Sequence, residues 1–238
     1  MILFVFAHQD DELAAARSIG ANRDVVCVYL TDGASRVPAE RRKAESLAAL
    51  AELGVPAERI AFLSIAHDGQ LVEHLDEALA VLEARFADLP ITGVGLLAWE
   101  GGHQDHDAAH LVGLAFAQRR GVDAFEHPLY SSEGKLPRVL TPVGDGWFAA
   151  RIPRRDAWRI LRLVRHYRSQ RSTWAALLPE ASFRLLLFGR THLRAADPRR
   201  LFTPPHRGRL LYERLFHVPY ARFRSAARPF VERHFGRE

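Results

Sequence analysis

The chain has 238 residues, 48% of them hydrophobic and 26% charged, with a formal net charge of +5 and one cysteine. These values exclude a disordered chain and an internal disulfide framework, and no apolar run approaches the roughly 20 residues that cross a bilayer. The charge is uneven: residues 151–238 hold 21 arginines, no lysine and six acidic residues, net +15, whereas residues 1–150 hold 12 basic and 22 acidic residues, net −10. Such a split points to an anionic partner for the C-terminal part, or to its packing against the acidic part.

The opening Met1–His8 has no basic leader and runs straight into acidic residues, so it reads as a first strand and not as a signal peptide. Ile2–Ala7 is a continuous apolar run, as a strand buried on both faces requires. Glu12–Gly20 follows as a short helix ending at a glycine. Val25–Leu30 is a second strand, holding Cys27 as a small core residue of a reducing compartment, and Thr31-Asp32-Gly33 is a turn. Pro38–Leu53 places Ala44, Leu47, Leu50 and Ala51 at helical spacing before Gly54. Ile60–Leu63 is a third strand, Leu71–Phe86 an amphipathic helix through Leu75, Leu79, Leu82 and Phe86, Val94–Trp99 a fourth strand, and Asp105–Arg119 a helix.

This alternation predicts an α/β, Rossmann-like fold: a mostly parallel sheet with helices on both faces, followed by a less regular basic C-terminal part. Phe148–Ile152 reads as a strand, Arg154–Tyr167 as a helix, Ala175–Phe188 as partly helical, and Pro198–Pro205 as loop. With no repeat or low-complexity linker, residues 1–238 read as one domain, with residues 1–130 the α/β core and about 190–238 a basic appendage.

Ligands of such sheets bind beyond the carboxyl ends of the strands, where the two most polar clusters lie. Ala7-His8-Gln9-Asp10-Asp11-Glu12 follows strand one, and Gly101–His110, containing His103-Gln104-Asp105-His106, follows strand four. A catalytic zinc takes three N or O ligands and keeps one position open. His8, Asp11 and His106 could supply them, Asp10 could accept a proton from water, and His103, if protonated, could stabilise an oxyanion. The plainer alternative is that Asp10, Asp11 or Glu12 caps the first helix and that the histidines of the second cluster are loop residues.

At these residues the chain resembles the PIG-L/LmbE-like family of metal-dependent N-deacetylases. The family's Ala-His-Pro-Asp-Asp-Glu motif reads Ala7-His8-Gln9-Asp10-Asp11-Glu12, and its His-Pro-Asp-His motif reads His103-Gln104-Asp105-His106. Thr31-Asp32-Gly33, Arg42-Lys43-Ala44-Glu45, Asp68-Gly69 and Tyr167-Arg168-Ser169-Gln170 fit the same order. The resemblance covers roughly residues 1–120 and implies His8, Asp11 and His106 as zinc ligands, Asp10 as general base and His103 as oxyanion stabiliser. It matches Arg42 and Asp68 to positions that contact sugar hydroxyls. Gln9 and Gln104 replace the two prolines and bring two amides near the site. Gly101 stands where some relatives carry a tyrosine.

The expected activity is therefore zinc-dependent removal of the acetyl group from an N-acetylglucosamine-type amino sugar, with other divalent metals acceptable to the same ligands. The substrate is a small molecule or glycan, and the basic C-terminal part adds a phosphate-bearing aglycone as an option. Leu210–Phe235 interleaves arginines with aromatics and allows peripheral contact with an anionic membrane, or packing of its aromatics on the domain with Pro219 and Pro229 interrupting any long helix. The expected location is the cytoplasm or the inner membrane face. No Gly-x-Gly-x-x-Gly follows strand one, which argues against a dinucleotide-binding protein, and no nucleic-acid-binding motif is present. A non-catalytic sugar-binding module and an amidohydrolase acting on another acylamide are the remaining rivals.

Overall fold

The computed structural model describes residues 1–34, 37–132 and 138–236. The strands are β1 (Ile2–Phe6), β2 (Val25–Thr31), β3 (Ile60–Ala66), β4 (Gly93–Leu97), β5 (Asp123–His127), β6 (Tyr130–Ser131), β7 (Arg138–Val139), β8 (Phe148–Arg151) and β9 (Arg190–Ala195). The α-helices are α1 (Glu12–Ala21), α2 (Ala39–Leu53), α3 (Leu75–Arg85), α4 (Gln104–Arg120), α5 (Arg154–Leu163), α6 (Arg171–Ser182), α7 (Leu211–Leu215) and α8 (Tyr220–Phe235).

Seven strands form one sheet in the order β3-β2-β1-β4-β5-β9-β8. The first five are parallel, and β9 and β8 extend them antiparallel. Strand β1 is buried on both sides, which is why it reads as an unbroken apolar run. Leu3 and Val5 join the core under α3, α4 and α8, while Phe4 and Phe6 join the core under α1, α2 and α5. The strand order reverses between β1 and β4, so the crevice of a doubly wound sheet opens at the carboxyl ends of those two strands.

Several local expectations change in the folded chain. Helix α1 runs past Gly20 and stops at Asn22, whose backbone is extended. Helix α2 ends at left-handed Gly54 as expected, but its buried face is Arg42, Glu45, Ser46, Ala49, Leu50 and Leu53; Ala44 and Ala51 are exposed. The polar members of that face serve hydrogen bonds at the crevice, so hydrophobic periodicity finds only part of it, through Leu50. Strands β5 and β9 escape the pattern because their sequences, Asp-Ala-Phe-Glu-His and Arg-Thr-His-Leu-Arg-Ala, are mostly polar. The region expected to be partly helical is α6 followed directly by a π-helical turn, Phe183–Phe188.

The basic C-terminal part is folded as well. Pro229 does not interrupt α8, a 16-residue helix. The proline sits on the exposed face, where solvent can satisfy the carbonyl it frees, while Phe223, Ala227, Phe230 and Val231 anchor the helix inward. Tyr212 and Phe223 are likewise core residues at 0% and 1% exposure. Arg233 pairs with Asp76, Arg222 lies 3.9 Å from Glu73, and Arg194 and Arg200 reach buried Glu126. Of the two readings of the charge split, these contacts realise packing against the acidic half. Among the described residues, no helix is long and apolar enough to cross a membrane.

Candidate active site

The turn after β1 is built by its own carboxylates. Asp11 Oδ2 accepts the backbone N–H groups of Ala7 (3.1 Å) and His8 (2.8 Å). Asp11 sits at the N-cap of α1 but makes no side-chain cap hydrogen bond, so its carboxylate is spent on the loop and on the crevice. Asp10 has φ +106°, a region that costs a non-glycine residue on the order of 1–3 kcal/mol and persists only where surroundings enforce it. The enforcing contacts are present. Asp10 donates its N–H to Glu12 Oε2 (2.9 Å), and the Arg42 guanidinium bonds the Gln9 carbonyl, the Gly33 carbonyl (2.7 Å) and Asp10 Oδ1 (2.9 Å). Trp174 Nε1 donates to Asp10 Oδ2 (2.9 Å).

The loop after β4 brings the second cluster to the same place. His103 is the N-cap of α4, and its Nδ1 accepts the Asp105 N–H at 3.1 Å. In the neutral ring the proton therefore sits on Nε2. His106 Nε2 lies 3.0 Å from Asp11 Oδ1, and His8 Nδ1 lies 4.0 Å from Asp11 Oδ2. The His8 ring is 4.7 Å from that of His103 and 5.3 Å from that of His106. Asp105 is fully buried and joins three segments: its carboxylate faces His8 Nε2 (3.0 Å) and accepts the N–H groups of Gly69 and Leu71. Asp68 Oδ1 is 3.2 Å from His8 Nε2 and 3.7 Å from His103 Nε2.

All seven residues expected at the site, His8, Asp10, Asp11, Arg42, Asp68, His103 and His106, line one cleft of about 540 Å³. Gln104 lines it too, whereas Gln9 is fully buried and outside its lining, with its side-chain amide oxygen packed on Gly33. Arg42 is buried, and its guanidinium bonds to the two loops, so the structure gives it a supporting contact with Asp10 in addition to its place on the cleft wall. Sequence reasoning missed Trp174, Tyr130, Leu177 and Phe216, which complete the cleft from the C-terminal half. Tyr130 stands with its ring 5.3 Å from His106, and Phe216 with its ring 4.8 Å from His103. No periodicity or motif marks them, because only tertiary folding places β6, α6 and the end of α7 at this edge.

The electrostatics separate the two carboxylates. Burial pushes Asp10 up to about 7 against the pull of Arg42. Burial opposes ionisation of Asp11 as well, but His106 and His8 hold it at about 2. Burial also opposes the charge on His8, but Asp105 and Asp68 outweigh it and raise this imidazole well above its ordinary value. Burial, with the charge on His8, lowers His103 to about 3, which favours its neutral form with the proton on Nε2.

The donor set fits a divalent cation. The ligand nitrogens of His8, His103 and His106 lie within 4.8 Å of one another, and Asp11 touches the group through His106. Because the Asp105 N–H occupies His103 Nδ1, His8, Asp11 and His106 are the residues best able to give lone pairs to a metal. A second group, His8, Asp68, His103 and Asp105, shares two of the same imidazoles and belongs to the same cleft.

Residues 3–117 match the family described as PIG-L: GlcNAc-PI de-N-acetylase. No curated protein matches the chain. Among solved structures, the conserved protein TT1542 from Thermus thermophilus is similar with a TM-score of 0.62 at 21% identity, over 82% of this chain and 92% of that one. The A40926 pseudoaglycone deacetylase Dbv21 gives 0.61 at 18% identity, over 82% and 96%. The N,N'-diacetylchitobiose deacetylase of Pyrococcus horikoshii gives 0.59 at 17% identity, over 82% and 83%. At these identities the likeness is one of fold.

Proposed function

From the match of residues 3–117 to the PIG-L family, we propose that the chain is a metal-dependent N-deacetylase acting on an N-acetylglucosamine-type amino sugar, with zinc as its metal. The observation that carries this reading is the meeting of His8, Asp11 and His106, from loops 95 residues apart, in a cleft that also holds Asp10 and His103. The similar solved structures named as deacetylases of the A40926 pseudoaglycone and of N,N'-diacetylchitobiose support an amino-sugar substrate.

In this reading His8, Asp11 and His106 hold the metal. A divalent cation in such a site supplies a Lewis acid that lowers the pKa of water and polarises an amide carbonyl. Asp10 takes the proton from the attacking water and later returns it to the departing amine. The Nε2–H of His103 donates to the carbonyl oxygen as negative charge builds there, from a ring already fixed by Asp105. Asp68, half-buried on the cleft wall, accepts from sugar hydroxyls, and Arg42 completes the polar end of the pocket. Tyr130, Trp174 and Phe216 give aromatic walls suited to the apolar face of a pyranose. Arginines that suggested a phosphate-bearing aglycone face Asp76, Glu73 and Glu126 instead, so the reading needs neither phosphate nor a membrane.

The test is acetate release from a panel of N-acetylglucosaminyl compounds, with and without chelator. Release that chelator abolishes and zinc restores is expected. A folded, zinc-loaded protein that binds the sugars and releases no acetate would instead be the binding module.

A further inference from the structure

We propose that Trp174 is a positioning residue for Asp10: its indole N–H fixes the rotamer of the carboxylate that serves as base, and so couples the C-terminal half of the chain to the reaction. The proposal rests on the assignment of Asp10 as that base.

The N–H and the two carboxylate oxygens of Asp10 are held by three different segments. The N–H goes to Glu12, Oδ1 to Arg42 and Oδ2 to Trp174 at 2.9 Å. Glu12 and Arg42 belong to α1 and α2, within the family-matched region; Trp174 belongs to α6, outside it. The segment that delivers the indole is itself pinned to those two helices. Tyr167 donates its hydroxyl to Glu12, and Ser169 donates both its N–H (3.0 Å) and its hydroxyl to Glu45. Tyr167, Ser169 and Trp174 thus meet α1, α2 and Asp10 along one short stretch.

Packing alone does not call for tryptophan here. The ring is buried at 6% exposure among apolar neighbours that a phenylalanine would also satisfy. What tryptophan adds is one N–H, and a buried indole N–H is costly unless it is bonded. It bonds to Asp10 Oδ2, on a residue whose φ of +106° makes it prone to relax. Two donors, one on each oxygen, leave one torsional setting for the carboxylate. Each oxygen keeps a further acceptor site, so the clamp orients the base without blocking it.

The experiment uses the full chain loaded with zinc and N-acetylglucosamine as probe. Trp174→Phe removes the donor; a benzothienylalanine at position 174 keeps the ring size and removes only the N–H, which covers the case of a poorly folded phenylalanine variant. The expected result is a fall in kcat of about tenfold or more, larger than any rise in KM from the altered pocket wall, with zinc content and melting temperature little changed. Placed on Asp10→Asn, the same change should have no further effect, because no base is left for the indole to orient. An unchanged kcat in the folded variants, or an equal loss in both backgrounds, overturns the proposal. A second readout needs no turnover: the 15N indole resonance of Trp174, assigned with the phenylalanine variant, should move upfield and exchange faster in Asp10→Ala. An unmoved resonance overturns the proposal even if the protein proves not to deacetylate, and absent acetate release with a shifted resonance overturns only the functional reading.

Discussion

Replacing Gly102 by alanine adds one methyl group to the loop that carries His103 and His106, and the structure fixes what it meets. A Cβ there would lie 2.2 Å from the Tyr130 carbonyl oxygen and 2.9 Å from its ring, where contacts below 3.0 Å are essentially never found. The gap of 0.8 Å must be made by movement of backbone. Tyr130 cannot yield easily: its N–H and that of Leu129 are both held by Glu100 Oε1, at 2.8 and 2.7 Å. The loop is tied as well, by Gly101 N–H to Asp107 (3.2 Å) and Leu211 N–H to the Gly101 carbonyl (2.9 Å). Overpacking of this kind costs about 1–3 kcal/mol, which for a chain of this size lowers Tm by roughly 2–12 °C. His103 is the next residue, and a displacement near 1 Å at a reacting group costs on the order of 10²-fold in rate. Calorimetry, zinc analysis and acetate release measure the three consequences. A Gly102→Ala protein with wild-type Tm and turnover would show that the loop has slack and does not hold His103 rigidly.

Other consequences follow from the same geometry. Asp10→Asn keeps the shape of the base but cannot take a proton, so kcat should fall by about 10²–10⁴-fold with zinc content intact; near-normal turnover would remove Asp10 from that role. Zinc at 100 times its Kd should raise stability by about 2.7 kcal/mol in thermal melts, and His106→Ala should abolish most of that rise. Burial raises Glu100 to about 8, well above its ordinary value of 4.5, so the folded state holds a proton that the unfolded chain has released between those two values. Its contribution to stability is therefore complete below about pH 4.5 and is lost as pH rises towards 8. Chemical denaturation across that range should show the decline, and Glu100→Gln should flatten it.

The sequence by itself determined the parallel core and its two polar turns. An unbroken apolar run such as Ile2–Phe6 tolerates no other environment than a doubly covered strand, and closely spaced histidines and carboxylates after β1 and before α4 mark the ends of such strands as places for chemistry. Local patterns carried that much because each depends only on neighbours a few residues apart. Tertiary structure alone decided the rest. It turned the polar face of α2 inward, since Arg42 and Glu45 find partners at the crevice that no periodicity can display. It kept α8 helical through Pro229, since the anchoring of Phe223 and Phe230 outweighs one lost backbone bond. It lowered the pKa of His103 through the burial and charge around it, and it brought Trp174 to Asp10 across 164 residues of chain. Hydrogen bonds and charge interactions of that kind depend on separations in space, and a linear order of residues does not contain them until the chain has packed.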